Sequence, residues 1–484
     1  MKIARAVVIT SLSLGFFLGI YGKSLAGIAG YPCYRTVEET FSTAEAIVAD
    51  HPQLATWIDI GDSWEKSAPG GKPGYDMMVL RLTNAAVSGP KPKLFIISSI
   101  QALEITPAEL NTRFAEHLMQ EYAVNPDVTW ILDYHEIHLL LQANPDGRKH
   151  AETGLPWRKN TNENYCSPTS NSRGADLNRN FAFQWGCCGA SSGSPCDETY
   201  RGLSPASEPE VQAIQNYLRS EFIDMRGDDP ADPAPDTTTG LFLDLHGYGE
   251  SIAWPWGFTS NSAPNGVTLQ TLGRKLAYFN GYTPAQAAGF YPVDGTSADF
   301  AYGSLGLPAY RIELGTAFFQ DCMTFESTIL PNSLTMLIYA AKVLQAPYKT
   351  PSGPDALNVK SNSETVVQGT LVTLNATIDD TRFNNANGTE ATQNVAAAQY
   401  CIDTPPWLSN PGPTAVAMVA GDGAFDETIE EVEANIDTTD LGAGRHIIFV
   451  RGQDSAGNWG PFSAVYLNIA NPTAPWLPLL LSDD

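Results

Sequence analysis

Seven histidines leave few candidates for metal and proton chemistry. His246 closes the apolar run Leu241-Phe242-Leu243-Asp244-Leu245-His246 and is followed at once by Gly247. Open α/β sheets bind ligands just beyond the C-terminal ends of their strands. A histidine there can ligate a metal, act as a general base, or simply hydrogen-bond a turn. Glu313 stands between apolar residues in Arg311-Ile312-Glu313-Leu314. A carboxylate so placed is expensive to bury unless it is paired, faces a metal or lies in a solvated cleft. Asp176-Leu177-Asn178-Arg179-Asn180-Phe181 sets an arginine among amides, a fork suited to bidentate capture of a carboxylate. His135 and His138 lie an odd spacing apart in a strand-like stretch, so alternation points them to opposite faces. They cannot chelate together and are expected to be structural or surface residues.

The elements that must position these groups alternate between helix-like and strand-like patterns from about Tyr31 to Ala346. Thr36 to Asp50 reads as an amphipathic helix and Met77 to Leu80 as a strand. Lys93 to Ile97 is a continuous apolar run, the signature of a strand buried on both faces. Thr106-Pro107-Ala108-Glu109 supplies an N-cap, a proline at N1 and a glutamate at N3, so a helix is expected to start there. Ile137 to Leu141 and Leu241 to Leu245 read as buried strands, Ser207 to Phe222 and Leu330 to Leu344 as helices, and Asp228 to Thr239 as a surface loop. This predicts an α/β domain, a sheet between helical layers. After Pro351-Ser352-Gly353-Pro354, short alternating stretches such as Thr370 to Ile378 and Arg445 to Arg451, divided by Asn, Gly, Asp and Pro clusters, predict a smaller all-β sandwich of the immunoglobulin or fibronectin kind. The expected division is 1–26, 27–350, 351–472 and a tail at 473–484.

Composition narrows the classes. Of 484 residues, 43% are hydrophobic and 17% charged, which is globular, and the net charge of −25 argues against nucleic acid or an anionic membrane surface as partner. From Pro354 onward 17 acidic residues face 4 basic ones, a net of −13. That surface suits solubility, with calcium binding as the livelier alternative. Lys2 and Arg5, the apolar stretch Ala6 to Ile20 and Ser24-Leu25-Ala26 read as a cleavable export signal, which predicts a secreted or periplasmic protein with no integral membrane segment afterwards. Seven cysteines fit an oxidising compartment. Cys166, Cys187, Cys188 and Cys196 are expected to form one or two loop-stapling disulfides, and the odd count leaves a thiol free or intermolecular.

Taken in order, these segments resemble the zinc carboxypeptidases of the carboxypeptidase A type. Where that family carries a His-x-x-Glu pair of zinc ligands, this chain reads Gln101-Ala102-Leu103-Glu104. The turn Asn144-Pro145-Asp146-Gly147, the arginine in Trp157-Arg158-Lys159-Asn160, the pair Asn178-Arg179 and the histidine at 246 follow in the family's order. Tyr291, trailed by Gly295, Asp299 and Tyr302, matches the family's mobile tyrosine, and Glu313 its catalytic glutamate. The resemblance implies a mixed sheet between helical layers, zinc as cofactor, and peptide or protein C-termini as partners. It implies metal ligands at Glu104, His246 and the altered position Gln101, with Asp176 as the carboxylate that orients the last. Glu313 becomes the general base, Arg158 the oxyanion donor, and Asn178, Arg179 and Tyr291 the clamp on the terminal carboxylate. Ala298, seven residues after Tyr291, falls at the base of the pocket for the C-terminal side chain. Its small size suits hydrophobic or aromatic residues, and nearby Asp294 keeps basic ones open.

Gln101 is the main departure, with Leu103 where the family has arginine. A neutral amide oxygen is a weaker zinc donor than imidazole. Either the Gln101 amide nitrogen donates to Asp176 while its oxygen faces the metal, or the site holds zinc poorly. The first outcome gives a carboxypeptidase; the second gives a module that only captures free C-termini. A cell-wall peptide hydrolase of the same fold is a third reading.

Overall fold

The computed structural model describes residues 27–68, 71–227, 229–408 and 414–470. The expected signal segment 1–26, Asp228 and the tail 473–484 lie outside the described residues, as do the last two residues assigned to the sandwich. Among the described residues no helix is long and apolar enough to cross a membrane.

Eight strands make the first sheet: β1 (Ala55–Asp62), β2 (Asp76–Leu82), β3 (Lys93–Ser98), β4 (Glu136–Leu140), β5 (Leu241–His246), β6 (Ser251–Trp254), β7 (Thr283–Gln286) and β8 (Ala309–Glu313), in the order β1-β2-β4-β3-β5-β8-β6-β7. The central four, β4-β3-β5-β8, are mutually parallel, whereas β1, β2 and β6 join by antiparallel pairing. β5 is buried at every residue, and β3 at every residue after Lys93, as strands covered on both faces must be. Phe95 packs on Tyr217 of the helix Pro209–Glu221, with ring centroids 5.2 Å apart. Ser98, an odd number of residues later, accepts through Oγ from Asn111 Nδ2 (3.0 Å) of the helix Ile105–Glu121. Alternation therefore places those two helices on opposite faces of the sheet, the expected layering.

Most expected elements appear within a residue or two of their expected bounds. Thr36 caps the helix Val37–Asp50 in a full capping box with Glu39. Two expectations need correction. The helix expected at Thr106 begins at Ile105 with Glu104 as N-cap, and no side-chain cap bond forms, because the Glu104 carboxylate is drawn to His246. His135 is not on a strand; it follows the helix Pro126–Tyr134, and β4 starts at Glu136. Both His135 and His138 are fully buried.

The second unit holds β9 (Asp355–Ser361), β10 (Thr365–Val367), β11 (Leu371–Asp379), β12 (Val395–Ile402), β13 (Val416–Ala420), β14 (Ile429–Asp437), β15 (Gly444–Asp454) and β16 (Ser463–Ala470). β13 pairs with β12 through its first residues and with β14 through Val419 and Ala420, passing from one layer to the other. Alternate residues Val372, Leu374, Ala376 and Ile378 of β11 share a core with Val395, Ala398 and Tyr400 of β12. The unit is docked, not tethered. Trp407 packs on Trp130, Lys275 pairs with Asp355 in a fully buried bridge (3.1 Å), and Arg274 donates to the carbonyls of Asn384, Ala386 and Gly388. Disulfides join Cys33 to Cys322, Cys166 to Cys196 and Cys187 to Cys188, and Cys401 is free and buried.

Candidate active site

The C-terminal ends of the four parallel strands collect the chemistry-bearing residues. β5 ends on His246 and β8 on Glu313, and the two are register partners. The segment after β3 turns through Ser99 (φ 60°) and delivers Gln101 and Glu104. The turn after β4 stitches this segment in place. Asn144 Nδ2 donates to the carbonyls of Ile100 (3.2 Å) and Lys159 (3.1 Å), so one amide ties the Gln101 loop to the Arg158 loop. Gly147 sits where a Cβ would lie 2.6 Å from the Lys159 carbonyl, which excludes any larger residue. Buried Arg148 donates to the Glu104 and Ile105 carbonyls and fixes the helix start.

Glu104 Oε2 lies 2.9 Å from His246 Nδ1, and ligand atoms of Glu104, His246 and Glu313 all fall within 4.8 Å of one another. Behind the imidazole, Asp244 Oδ2 stands 2.9 Å and Asn178 Nδ2 2.8 Å from Nε2. A carboxylate therefore faces each ring nitrogen, and each favours a proton on the nitrogen it faces. Burial pushes the Glu104 carboxyl up, with His246 opposing and Glu313 adding to it. Burial alone would favour neutral His246, but Asp244 and Glu104 outweigh it and raise the ring's pKa well above its usual value. The donor set thus has excess negative charge, which a divalent cation between Glu104 and His246 would balance. Gln101 is buried, its Nε2 donating to Asp176 Oδ1 at 3.4 Å. With its nitrogen turned to Asp176, its oxygen is the atom left to act as a donor, and Glu104 and His246 offer a carboxylate and an imidazole within metal-ligand reach of each other.

The other expected residues border this point. Arg158 Nε donates to Asp176 Oδ2 (2.9 Å), and Arg158 and Arg179 together hold the Asp176 carboxyl below its usual value despite its full burial. Arg179 is buried, its Nη1 donating to the Asn178 carbonyl (2.7 Å) while Nε has no partner among the described residues. The Asn178 side chain is committed inward, Nδ2 to Asp244 (3.0 Å) and Oδ1 from Ser297 N–H (2.8 Å). Gly295 (φ 61°) brings the tyrosine loop against Arg179, where a Cβ would stand 2.5 Å from the Arg179 carbonyl. Tyr291 is half-exposed, its hydroxyl accepting from Arg311 Nη1 (3.2 Å). Ala298 lines a pocket with Asp244, Ala253, Val293 and Arg311. Asp294 is buried outside that lining and accepts from Cys188 N–H (3.3 Å).

Two residues here were passed over in the sequence. Asp244 and Arg311 precede His246 and Glu313 by two positions. Period-two alternation in a strand puts such pairs on one face, and that signal was available.

The zinc carboxypeptidase family matches residues 41–336, well over half of the chain. A zinc carboxypeptidase of Saccharothrix mutabilis subsp. capreolus is 30% identical over 59% of this chain, which spans 63% of that relative. Carboxypeptidase A1 of Rattus norvegicus is 28% identical over 66% of this chain and 72% of its own. In fold, the carboxypeptidase A of Helicoverpa armigera superposes with a TM-score of 0.53 at 23% identity, over 64% of this chain and 73% of its own. The sheet, the converging donors and the sequence match agree, and the chain belongs to the zinc carboxypeptidase family.

Proposed function

We propose that this protein is an exported metallocarboxypeptidase that releases C-terminal residues from peptides, with zinc held by Glu104, His246 and the Gln101 amide oxygen. The observation that carries the reading is the convergence of Glu104, His246 and Glu313 within 4.8 Å at the sheet edge. Zinc at such a point supplies a Lewis acid that activates water for attack. Glu313 takes up the water's proton and returns it to the leaving amine. Arg158, aimed by Asp176, stabilises the charge that develops on the scissile carbonyl oxygen. Arg179 and Tyr291 hold the substrate's terminal carboxylate, which makes a free C-terminus a requirement. Asn178, committed to Asp244 and Ser297, serves this clamp by fixing the floor beneath it. The three disulfides suit a secreted or periplasmic setting.

Gln101 favours one second reading, a C-terminus-binding module that holds zinc weakly. Hydrolysis of N-blocked dipeptides separates the two. The carboxypeptidase reading expects zinc-dependent cleavage of free acids, abolished by chelation and absent for the C-terminal amides. Binding of free acids without cleavage in excess zinc would leave the module.

A further inference from the structure

Glu208 is fully buried at the start of the helix Pro209–Glu221, yet its side chain makes no cap bond there. It is held by neutral donors instead. Oε2 accepts from Asn160 Nδ2 and Asn162 Nδ2, both at 2.8 Å, and Oε1 from the hydroxyls of Tyr165 (2.9 Å) and Ser207 (2.7 Å). A carboxylate is expensive to bury, so a position that keeps one without an ion pair needs a reason.

The two asparagines cannot turn away from it. Asn160 Oδ1 accepts from Ala175 N–H (2.9 Å) and Asn162 Oδ1 from Asn164 N–H (3.0 Å), which sets the nitrogen of each amide on Glu208. Glu210 Oε2, at 3.2 Å, takes the longer share of the Asn160 amide. Asn160 N–H also donates to the Ala175 carbonyl (3.0 Å), so these two residues bond in both directions. Gly174 allows the approach, because a Cβ there would lie 2.0 Å from the Asn160 carbonyl oxygen. Arg158 lies two residues before this joint and Asp176 one residue after it, and their side chains meet at 2.9 Å. A second arm runs from the Glu208 backbone, whose N–H donates to Asn180 Oδ1 (3.1 Å), one residue past Arg179. One residue therefore grips both the loop that carries Arg158 and the loop that carries Asp176. The chain between them, 163–173, is mostly exposed and supplies little packing of its own.

We propose, resting on the carboxypeptidase reading, that Glu208 is a positioning residue for the oxyanion donor. Through Asn160 it sets where the Arg158–Asp176 pair stands, and so acts on the transition state without touching substrate. A misplacement of about 1 Å in a group that meets the transition state costs roughly 10²-fold.

The test is a double-mutant cycle on the full chain in excess zinc. Its readouts are kcat and KM for an N-blocked dipeptide, and calorimetric affinity for the phosphonate analogue of that dipeptide, whose tetrahedral oxygens stand in for the developing oxyanion. Glu208→Leu removes both acceptors, leaving Asn162 unpaired and Asn160 with only the longer bond to Glu210. It should lower kcat by about 10- to 100-fold with KM little changed, and weaken the phosphonate in step. Glu208→Gln should restore most of both, since its oxygen serves the asparagines while its nitrogen meets hydroxyls that rotate to accept. In an Arg158→Ala background, read by phosphonate affinity, Glu208→Leu should cost nothing further, because the group it aims is gone. If the leucine variant fails to fold, Glu208→Asp, which withdraws the carboxylate by one methylene, carries the same cycle with a smaller loss. Equal losses in both backgrounds, or no loss in either, overturn the role of Glu208 and leave the carboxypeptidase reading standing. A wild type that neither cleaves the dipeptide nor binds the phosphonate overturns both.

Discussion

Two ends of the same sheet each bring a histidine and two glutamates within 4.8 Å, at Glu104, His246 and Glu313 and at Glu136, His138 and Glu221. The residue types match and the surroundings do not. At the second cluster Lys93 Nζ sits 2.7 Å from Glu221 Oε2, Tyr217 holds His138 Nδ1 at 2.7 Å, and the hydrogen bond from His138 keeps the Glu136 carboxyl below its usual value. Burial there lowers the His138 pKa. At the first cluster burial pushes Glu104 up, Arg158 is committed to Asp176, Arg311 stands 3.2 Å from Glu313, and a third carboxylate, Asp244, backs the histidine. Donor geometry alone does not make a metal site. At the first cluster three carboxylates, Glu104, Glu313 and Asp244, surround one histidine and the Arg311 guanidinium, whereas at the second Lys93 pairs with Glu221.

Substitutions can break that contrast. Glu313→Gln should lower hydrolysis by about 10² to 10⁴-fold while zinc content holds, because the isosteric change removes only proton acceptance. His138→Gln should leave both unchanged, and steady-state rates with metal analysis check the pair. Arg179→Ala should weaken binding of free-acid peptides by about 2–5 kcal/mol and leave C-terminal amides untouched, by calorimetry. Behind the donors, Asp244→Asn and Asp176→Asn should each weaken zinc by about 10- to 100-fold in competition with a chelator. Equal effects from Glu136→Gln would erase the distinction between the clusters.

The smallest effect concerns stability. Burial drives the His135 pKa to about 3. The unfolded chain then binds the extra proton below about pH 6.5, so this contribution is complete above that value and is lost as pH falls toward 3. By pH 5 the loss is roughly 2 kcal/mol, at 1.36 kcal/mol per unit over about 1.5 units. His135 stacks on Trp407 of the sandwich, so the acid limb of denaturant melts should flatten in His135→Gln, relative to wild type, between pH 6.5 and 5.

Much of the fold was legible because buried parallel strands are unbroken apolar runs, and Lys93 to Ser98 and Leu241 to His246 advertise both their burial and the sheet edge where they end. His246 and Glu313 stood out because a polar group at such a place needs a reason. Asp244 and Arg311 did not, because each reads as an interruption of an apolar run until the register pairs them. The start of the helix after Gln101 was misplaced by local cap chemistry that a long-range attraction between Glu104 and His246 overrode. Disulfide partners lie outside what spacing can reveal, since Cys33 finds Cys322 across 289 residues only through the fold.

The central claim is that zinc binds between Glu104 and His246 with Gln101 as its third donor. Zinc titration of the purified full chain, alongside Gln101→His, Glu104→Ala and His138→Ala, tests it most directly. One zinc per chain is expected in the wild type, lost in Glu104→Ala and kept in His138→Ala. Gln101→His should bind about 10-fold or more tightly, as imidazole outranks an amide oxygen, with zinc-dependent hydrolysis in both. A wild type that takes up no zinc, or whose zinc survives Glu104→Ala and leaves with His138→Ala, would contradict it.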